Sequence, residues 1–274
     1  MRQLPTNSVA PRPFLRWAGS KQRLLGKLLE RIPKSYGRYY EPFLGSGALF
    51  FALRPKRATL SDASSELIET WRSVREHAED LCDYLQPLKP CKDLFYRIRA
   101  NRSVTYPTRA GEFIYLNKTC WNGLYRVNGR GEFNVPYGAP QTDFIFDADV
   151  LRACSKTLKR NGISLRHCDF EVALRSVREC DLVFLDPPYV TKHNFNGFRD
   201  WNEKLFSWED QVRLAKVAEK LAARGAHVLV SNADHADVAE LYGRFRKFEL
   251  ERPSTLASDA GKRGRVTEAL FASF

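Results

Sequence analysis

The chain has 274 residues, 43% of them hydrophobic, and a formal net charge of +12. No run approaches twenty apolar residues, which speaks against a membrane span, and the leading MRQLPTNSVAPRP lacks the apolar centre of a signal peptide. The six cysteines form no C-x-x-C pair and the five histidines show no ligand spacing beside them, so buried reduced thiols, no structural metal and a cytoplasmic setting are expected.

In chain order, residues 1–40 hold nine Lys/Arg against one acid, Glu30. SKQRLLGKLLERI (20–32) puts Leu24, Leu25, Leu28, Leu29 and Ile32 on one helical face, and Pro33 ends it. RYYEPF (38–43) reads as a strand and LGSGALFFAL (44–53) as a glycine turn opening a helix. RATLSD (57–62) is the next strand, ending in Asp62, and helical patterns follow from about 64 to 100.

The stretch 101–146 is different in kind, rich in Asn, Gly and Tyr. LYRV, then NGRG, then EFNVP is a hairpin signal. Residues 89–130 again hold nine Lys/Arg against two acids, with Phe95, Tyr96, Tyr106, Tyr115, Trp121 and Tyr125 interleaved. Two such basic clusters point to a polyanion partner.

After 147 the α/β alternation resumes, with strands expected at 163–168, 181–185, 226–232 and 266–274. Ser207 and Asp210 fit a capping box before a helix with Leu214, Val217, Ala218 and Leu221 on one face and Gly225 past its end. The expected organisation is an α/β sheet domain, 1–63 with 147–274, interrupted by a mixed insert at 64–146.

Two constellations carry chemistry. In EPFLGSG (41–47), Gly45 and Gly47 allow a tight turn and close backbone approach to a ligand, and Asp62 can grip a ribose hydroxyl pair. Phe50 stands where the third glycine of the dinucleotide fingerprint belongs, which argues against a pyrophosphate and for a nucleoside-type cofactor. In LDPPY (185–189), Pro-Pro stops a buried strand. There Asp186 and the Pro187 carbonyl can accept the two N–H bonds of an exocyclic amine, and Tyr189 offers a stacking face.

FLRWAGSKQRLL (14–25), EPFLGSGALF (41–50), LSD (60–62), WNGLYRVNGRGEFNVPYG (121–138), LDPPY (185–189) and SNAD (231–234) come in the order of the Dam-like DNA adenine methyltransferases, which the chain resembles from about residue 14 onward. The resemblance implies a Rossmann-like methyltransferase sheet with an inserted helical and β-hairpin target-recognition region at 64–146. It implies transfer of a methyl group from S-adenosyl-L-methionine to adenine N6 in double-stranded DNA, with the target base flipped and GATC as the site. It places Trp17, Lys21, Phe43, Gly45, Ser46, Gly47, Asp62, Asp169, Phe170 and Asp186 at the cofactor, and Asp186, Pro187 and Tyr189 at the chemistry. Trp121 or Asn122 would wedge into the duplex, and Leu124, Arg126 and Pro136 would read bases, with Leu124 and Pro136 facing each other across the hairpin. Trp121 stands where the family usually has tyrosine, and Ala139 follows Gly138 where a basic residue can occur. Other acceptors remain open: cytosine N4, an RNA base, or a protein glutamine, although glutamine-modifying relatives favour Asn where this chain has Asp186. A non-catalytic DNA-binding relative is the reading of a different class. Neither an obligate protein partner nor a membrane is called for.

Overall fold

A computed structural model describes residues 9–143, 145–191, 206–253 and 265–274. Among them the chain forms, in order, α1 (Leu25–Leu29), β1 (Tyr39–Glu41), α2 (Ala48–Leu53), β2 (Ala58–Asp62), α3 (Ser65–Glu76), α4 (Ala78–Leu85), α5 (Lys92–Ala100), α6 (Thr108–Thr119), α7 (Ala148–Leu158), β3 (Ile163–His167), α8 (Phe170–Leu174), β4 (Leu182–Leu185), α9 (Trp208–Ala223), β5 (His227–Ala233), α10 (Ala236–Leu241), β6 (Arg246–Pro253) and β7 (Arg265–Ala272). These fall into two compact units: residues 1–20, 45–56 and 64–167, and residues 21–44, 57–63 and 168–274.

Among the described residues, the second unit carries six strands in the order β2-β1-β4-β5-β7-β6. The first four are parallel, and β7 runs antiparallel to both its neighbours. All four residues of β4 are buried, as suits a central strand covered on both faces. The chain passes from β1 to β2 on one side and returns to β4 on the other, so the order reverses between β1 and β4. In an open parallel sheet that reversal leaves a crevice beyond the carboxyl ends of the two strands. β1 ends there in Glu41, and β4 is followed there by Asp186. The core below joins Tyr40, Val183 and Leu185 to Leu214, Ala218 and Leu221 of α9. The capping box of α9 forms as expected, with Ser207 and Asp210 exchanging side-chain and backbone bonds.

The first unit is mainly helical. Its α6 is buried from Ala110 through Asn117, so it serves as the central helix against which the others pack. Phe14, Phe50, Phe51 and Trp71 form an aromatic nest, with Phe51 stacked on Trp71 at 5.3 Å. Arg102 is held between Glu66 and Glu112, at 2.8 and 3.0 Å, and ties α3 to α6.

Several expectations need correcting. The helix foreseen over 20–32 is a 3-10 turn (Lys21–Leu24) followed by the five-residue α1, with Gly26 weakening its middle. The hairpin at 120–138 forms no extended strands. It has single bridges at Cys120–Tyr137 and Val127–Phe133. Trp121 N–H donates to the Pro136 carbonyl, so Pro136 lies opposite Trp121 rather than Leu124. Strand β6 was not foreseen, because Arg246, Lys247 and Glu249 mask its pattern with the charges that edge strands carry. All six cysteines are free, and Cys91 and Cys180 are exposed rather than buried.

Candidate active site

Asp186 follows β4 directly, and three other elements of the second unit bring groups to it. The Lys21 ammonium, from the 3-10 turn, lies 2.8 Å from Asp186 Oδ1 and 3.6 Å from Glu268 Oε2 on β7. Tyr189 O–H donates to Glu268 Oε2 at 2.7 Å and lies 2.9 Å from Ser231 Oγ on β5. The same ammonium sits 5.0 Å from the centroid of the Tyr189 ring. Lys21 is only 4% exposed and the Asp186 side chain 17%, so one ammonium serves two carboxylates with little help from water. Burial pushes the Asp186 carboxyl up to about 6. Lys21 opposes that shift, and Glu268 adds to it. Burial also raises the Tyr189 phenol well above its ordinary range, helped by Asp186 and Glu268.

The turn itself is braced from below. Gln211 Nε2 on α9 donates to the Pro188 carbonyl at 3.1 Å, and Gln211 Oε1 accepts from Asn232 Nδ2 at 3.0 Å. Both side chains are fully buried. Pro187 is buried beside them.

Around this cluster the second unit places the other expected residues. The Phe43 ring lies 5.6 Å from Phe170 and 5.5 Å from Phe206. Asp169 caps α8 through the Glu171 N–H. Its carboxylate is also gripped by both terminal nitrogens of Arg213, whose guanidinium lies 4.3 Å from the Phe170 centroid. Asp62 closes β2, and its carbonyl accepts the Cys168 N–H at 3.3 Å.

The first unit holds the glycine turn. Gly45 has φ +46° and Gly47 φ +61°, both in the left-handed region. A Cβ at Gly45 would lie 2.6 Å from Trp17 Cδ1, so only glycine lets the indole rest on the turn. Trp71 Nε1 donates to the Gly45 carbonyl at 3.3 Å, and Ser46 Oγ pairs with Ser20 Oγ at 2.8 Å. On its other side Trp17 stacks on Tyr125 at 5.5 Å. Tyr125 O–H reaches Glu66 Oε2 at 3.3 Å, which anchors the start of the hairpin to α3.

At the hairpin, Trp121 is 55% exposed, unusual for so large an apolar ring. Asn122 beside it has φ +53°. A Cβ at Gly123 would lie 2.3 Å from Arg16 Cβ, so the chain around residue 16 packs directly on this turn. Asn117 stitches the two together, exchanging bonds with the Arg16 backbone at 2.8 and 2.7 Å and donating to the Gly123 carbonyl. Arg126 is exposed and its Nε donates to Asn134 Oδ1 at 2.7 Å. Burial together with Arg16 and Arg12 lowers the Lys118 pKa to about 8.

Sequence reasoning missed Glu268, Gln211 and Asn117 as parts of these arrangements, and it singled out Ser231 and Asn232 in SNAD without giving them a role. For Gln211 a signal existed: it is a polar residue in the apolar stripe of α9 that includes Leu214, Ala215 and Ala218. Glu268 likewise interrupts the apolar end of β7 on the face shared by Leu270 and Ala272.

The reversal in the second unit's sheet, with Asp-Pro-Pro-Tyr at its carboxyl edge, belongs to a Rossmann-like methyltransferase fold. Residues 17–256 match the family described as D12 class N6 adenine-specific DNA methyltransferase. The chain belongs to this family of DNA-modifying enzymes. It is 33% identical to a Lactococcus lactis subsp. cremoris protein named Type II methyltransferase M1.LlaDCHI, over 100% of this chain and 99% of that one. It is 34% identical to Type II methyltransferase M.MjaIII of Methanocaldococcus jannaschii, over 96% and 99%. It is 31% identical to the DNA adenine methylase of Escherichia coli K12, over 94% of each chain. Among the described residues, no helix is long and apolar enough to cross a membrane, and no group of His, Cys, Asp and Glu side chains could hold a metal ion.

Proposed function

We propose that this enzyme transfers a methyl group from S-adenosyl-L-methionine to N6 of an adenine flipped out of double-stranded DNA, within GATC, in the cytoplasm. The observation that carries this reading is the Lys21–Asp186–Tyr189 cluster at the end of β4. The residues suit the cofactor. Gly45 and Gly47 hold the left-handed backbone that lets a ligand come close, beside Trp17 and Ser46. Asp62 would hold the ribose hydroxyls, Asp169, Phe170 and Phe43 would face the cofactor's adenine, and Lys21 would orient Asp186. When bound, the cofactor supplies a methyl group already activated on a sulfonium.

The chain's own work is on the acceptor. An exocyclic amine is a poor nucleophile because its lone pair is delocalised into the ring. As it attacks, the nitrogen gains positive charge. Asp186 would accept one N–H and the Pro187 carbonyl the other, so both stabilise charge that is largest in the transition state. Tyr189 would stack on the flipped base, with its plane held by Glu268 and Ser231. Flipping costs a few kcal/mol of stacking and pairing. Exposed Trp121, with Asn122, would fill the gap.

Residues 64–146 would recognise the target. Arg126, aligned by Asn134, would read guanine as a fork, and Leu124 and Pro136 would contact bases from separate points of the hairpin. The test is plasmid methylation by the purified chain, read by sequencing that detects modified bases. Modified adenine in GATC is expected, with Asp186→Ala slower by on the order of a hundredfold or more. Modified cytosine or RNA, another site, or full activity of folded Asp186→Ala would each overturn the corresponding part of the reading.

A further inference from the structure

We infer that Glu268 is a positioning residue of the reaction: it shares the Lys21 ammonium with Asp186, locks the Tyr189 ring, and leaves a net negative charge where the acceptor nitrogen turns positive. The inference rests on the proposed role of Asp186.

The geometry is that of a hub. Glu268 is 3% exposed, and its Oε2 atom receives both the Tyr189 O–H at 2.7 Å and the Lys21 ammonium at 3.6 Å. It is held there by the β5–β7 ladder, which pairs Glu268 with Ala233 and Leu270 with Ser231. Ser231 itself lies 2.9 Å from the Tyr189 oxygen. Since a carboxylate can only accept, the phenol proton points at Glu268, which fixes the swing of the ring.

Charge counting gives the purpose. Asp186 with Lys21 alone sums to zero, and a neutral pair stabilises a developing cation weakly. A second carboxylate brings the sum to one negative charge. In a site this dry, a preorganised charge acts with little screening. Among the described residues, the titratable groups placed to act on Asp186 are Lys21 from the 3-10 turn, Glu268 from β7 and Tyr189 from its own loop, with Tyr39 on β1 also coupled to it. Lys21 is the cation that binds all of this together.

The test uses the whole chain with carbon-13-labelled aspartate, the Asp186 carboxyl signal being assigned with Asp186→Asn. Glu268→Gln keeps an acceptor for Tyr189 and removes the charge. The Asp186 midpoint should then fall by about half a pH unit or more, because a like charge has gone. Its kcat for adenine methylation should drop roughly tenfold while KM for DNA and cofactor stay within about twofold. Glu268→Asp, which keeps the charge, should hold the midpoint of the parent. A folded Glu268→Gln protein with the parent's midpoint overturns the inference. If Glu268→Gln does not fold, a midpoint in Glu268→Asp lowered by half a unit does the same. An inactive parent would instead refute the functional reading, while the titration still decides whether Glu268 acts on Asp186.

Discussion

Arg213 grips both carboxylate oxygens of Asp169, at 3.2 and 2.9 Å, and lies against the face of Phe170, 4.3 Å from its centroid. One guanidinium thus fixes two neighbouring residues at the start of α8. The ion pair is partly exposed, at 38% and 42%, so its effect on stability is small, under about 1 kcal/mol. Its effect on placement is larger. Arg213→Ala should leave the melting temperature within a few degrees and weaken S-adenosylmethionine binding by roughly tenfold, as calorimetry would show. Unchanged affinity would remove Asp169 and Phe170 from the cofactor's surroundings.

Two glycines should respond in opposite ways. Gly45 has a left-handed backbone and a Trp17 ring 2.6 Å from where a Cβ would go. Gly45→Ala should cost about 2–4 kcal/mol, strain and overlap combined, and shift Trp17 fluorescence. Gly26 lies inside α1 with nothing within 4 Å. Gly26→Ala should stabilise by roughly 0.5–1 kcal/mol. Urea unfolding of both variants checks the contrast.

The raised pKa of Asp186 has a thermodynamic counterpart. Its folded value of about 6 lies above that of an unfolded aspartate, so the folded state holds the proton more tightly. Stability therefore falls as pH rises from about 4 to 6, and the full penalty persists above that. Asp186→Asn should gain about 1–3 kcal/mol at pH 8, and the gain should vanish near pH 4. The acid limb of the parent's methylation profile should have its midpoint near 6, since a protonated Asp186 has a proton where an acceptor is needed. A stability difference that does not change with pH would show that Asp186 carries no such penalty.

DNA affinity should fall steeply with salt. Burial lowers Lys118 to about 8, and the charges of Arg16 and Arg12 in the same unit add to the lowering. A nearby phosphate relieves that repulsion. Each phosphate neutralised contributes about −0.9 to the log–log salt slope, and Lys118→Ala should reduce the slope by roughly one contact. A flat salt response would reduce the basic clusters to solvated surface.

The parts of the fold that follow local rules were legible in the sequence. The capping box before α9 and the buried run of β4 need only near neighbours and a period. The arrangement around Asp186 was half legible. Lys21, Asp186 and Tyr189 sit in recognisable motifs, whereas the partners of Glu268 emerge only once β7 is laid beside β5. Asn117 was hidden in the same way, as one of several polar residues in a largely buried helix, with its partners, Arg16 and Gly123, outside that helix. The hairpin was foreseen in place but overstated in regularity, because only isolated bridges and a few backbone bonds join its two arms.

The pairing of Ala233 with Glu268 also governs how β7 can be threaded. Side chains alternate along a strand, so a slip of one residue would turn Glu268 to the opposite face of the sheet. There the carboxylate would lose Lys21 and Tyr189 together. A buried charge without its partner costs several kcal/mol, far more than any apolar mismatch along Ala269–Ala272. Lys21 and Glu268 therefore act as key and notch for the strand: the misthreaded sheet is penalised by the same charges that the chemistry uses.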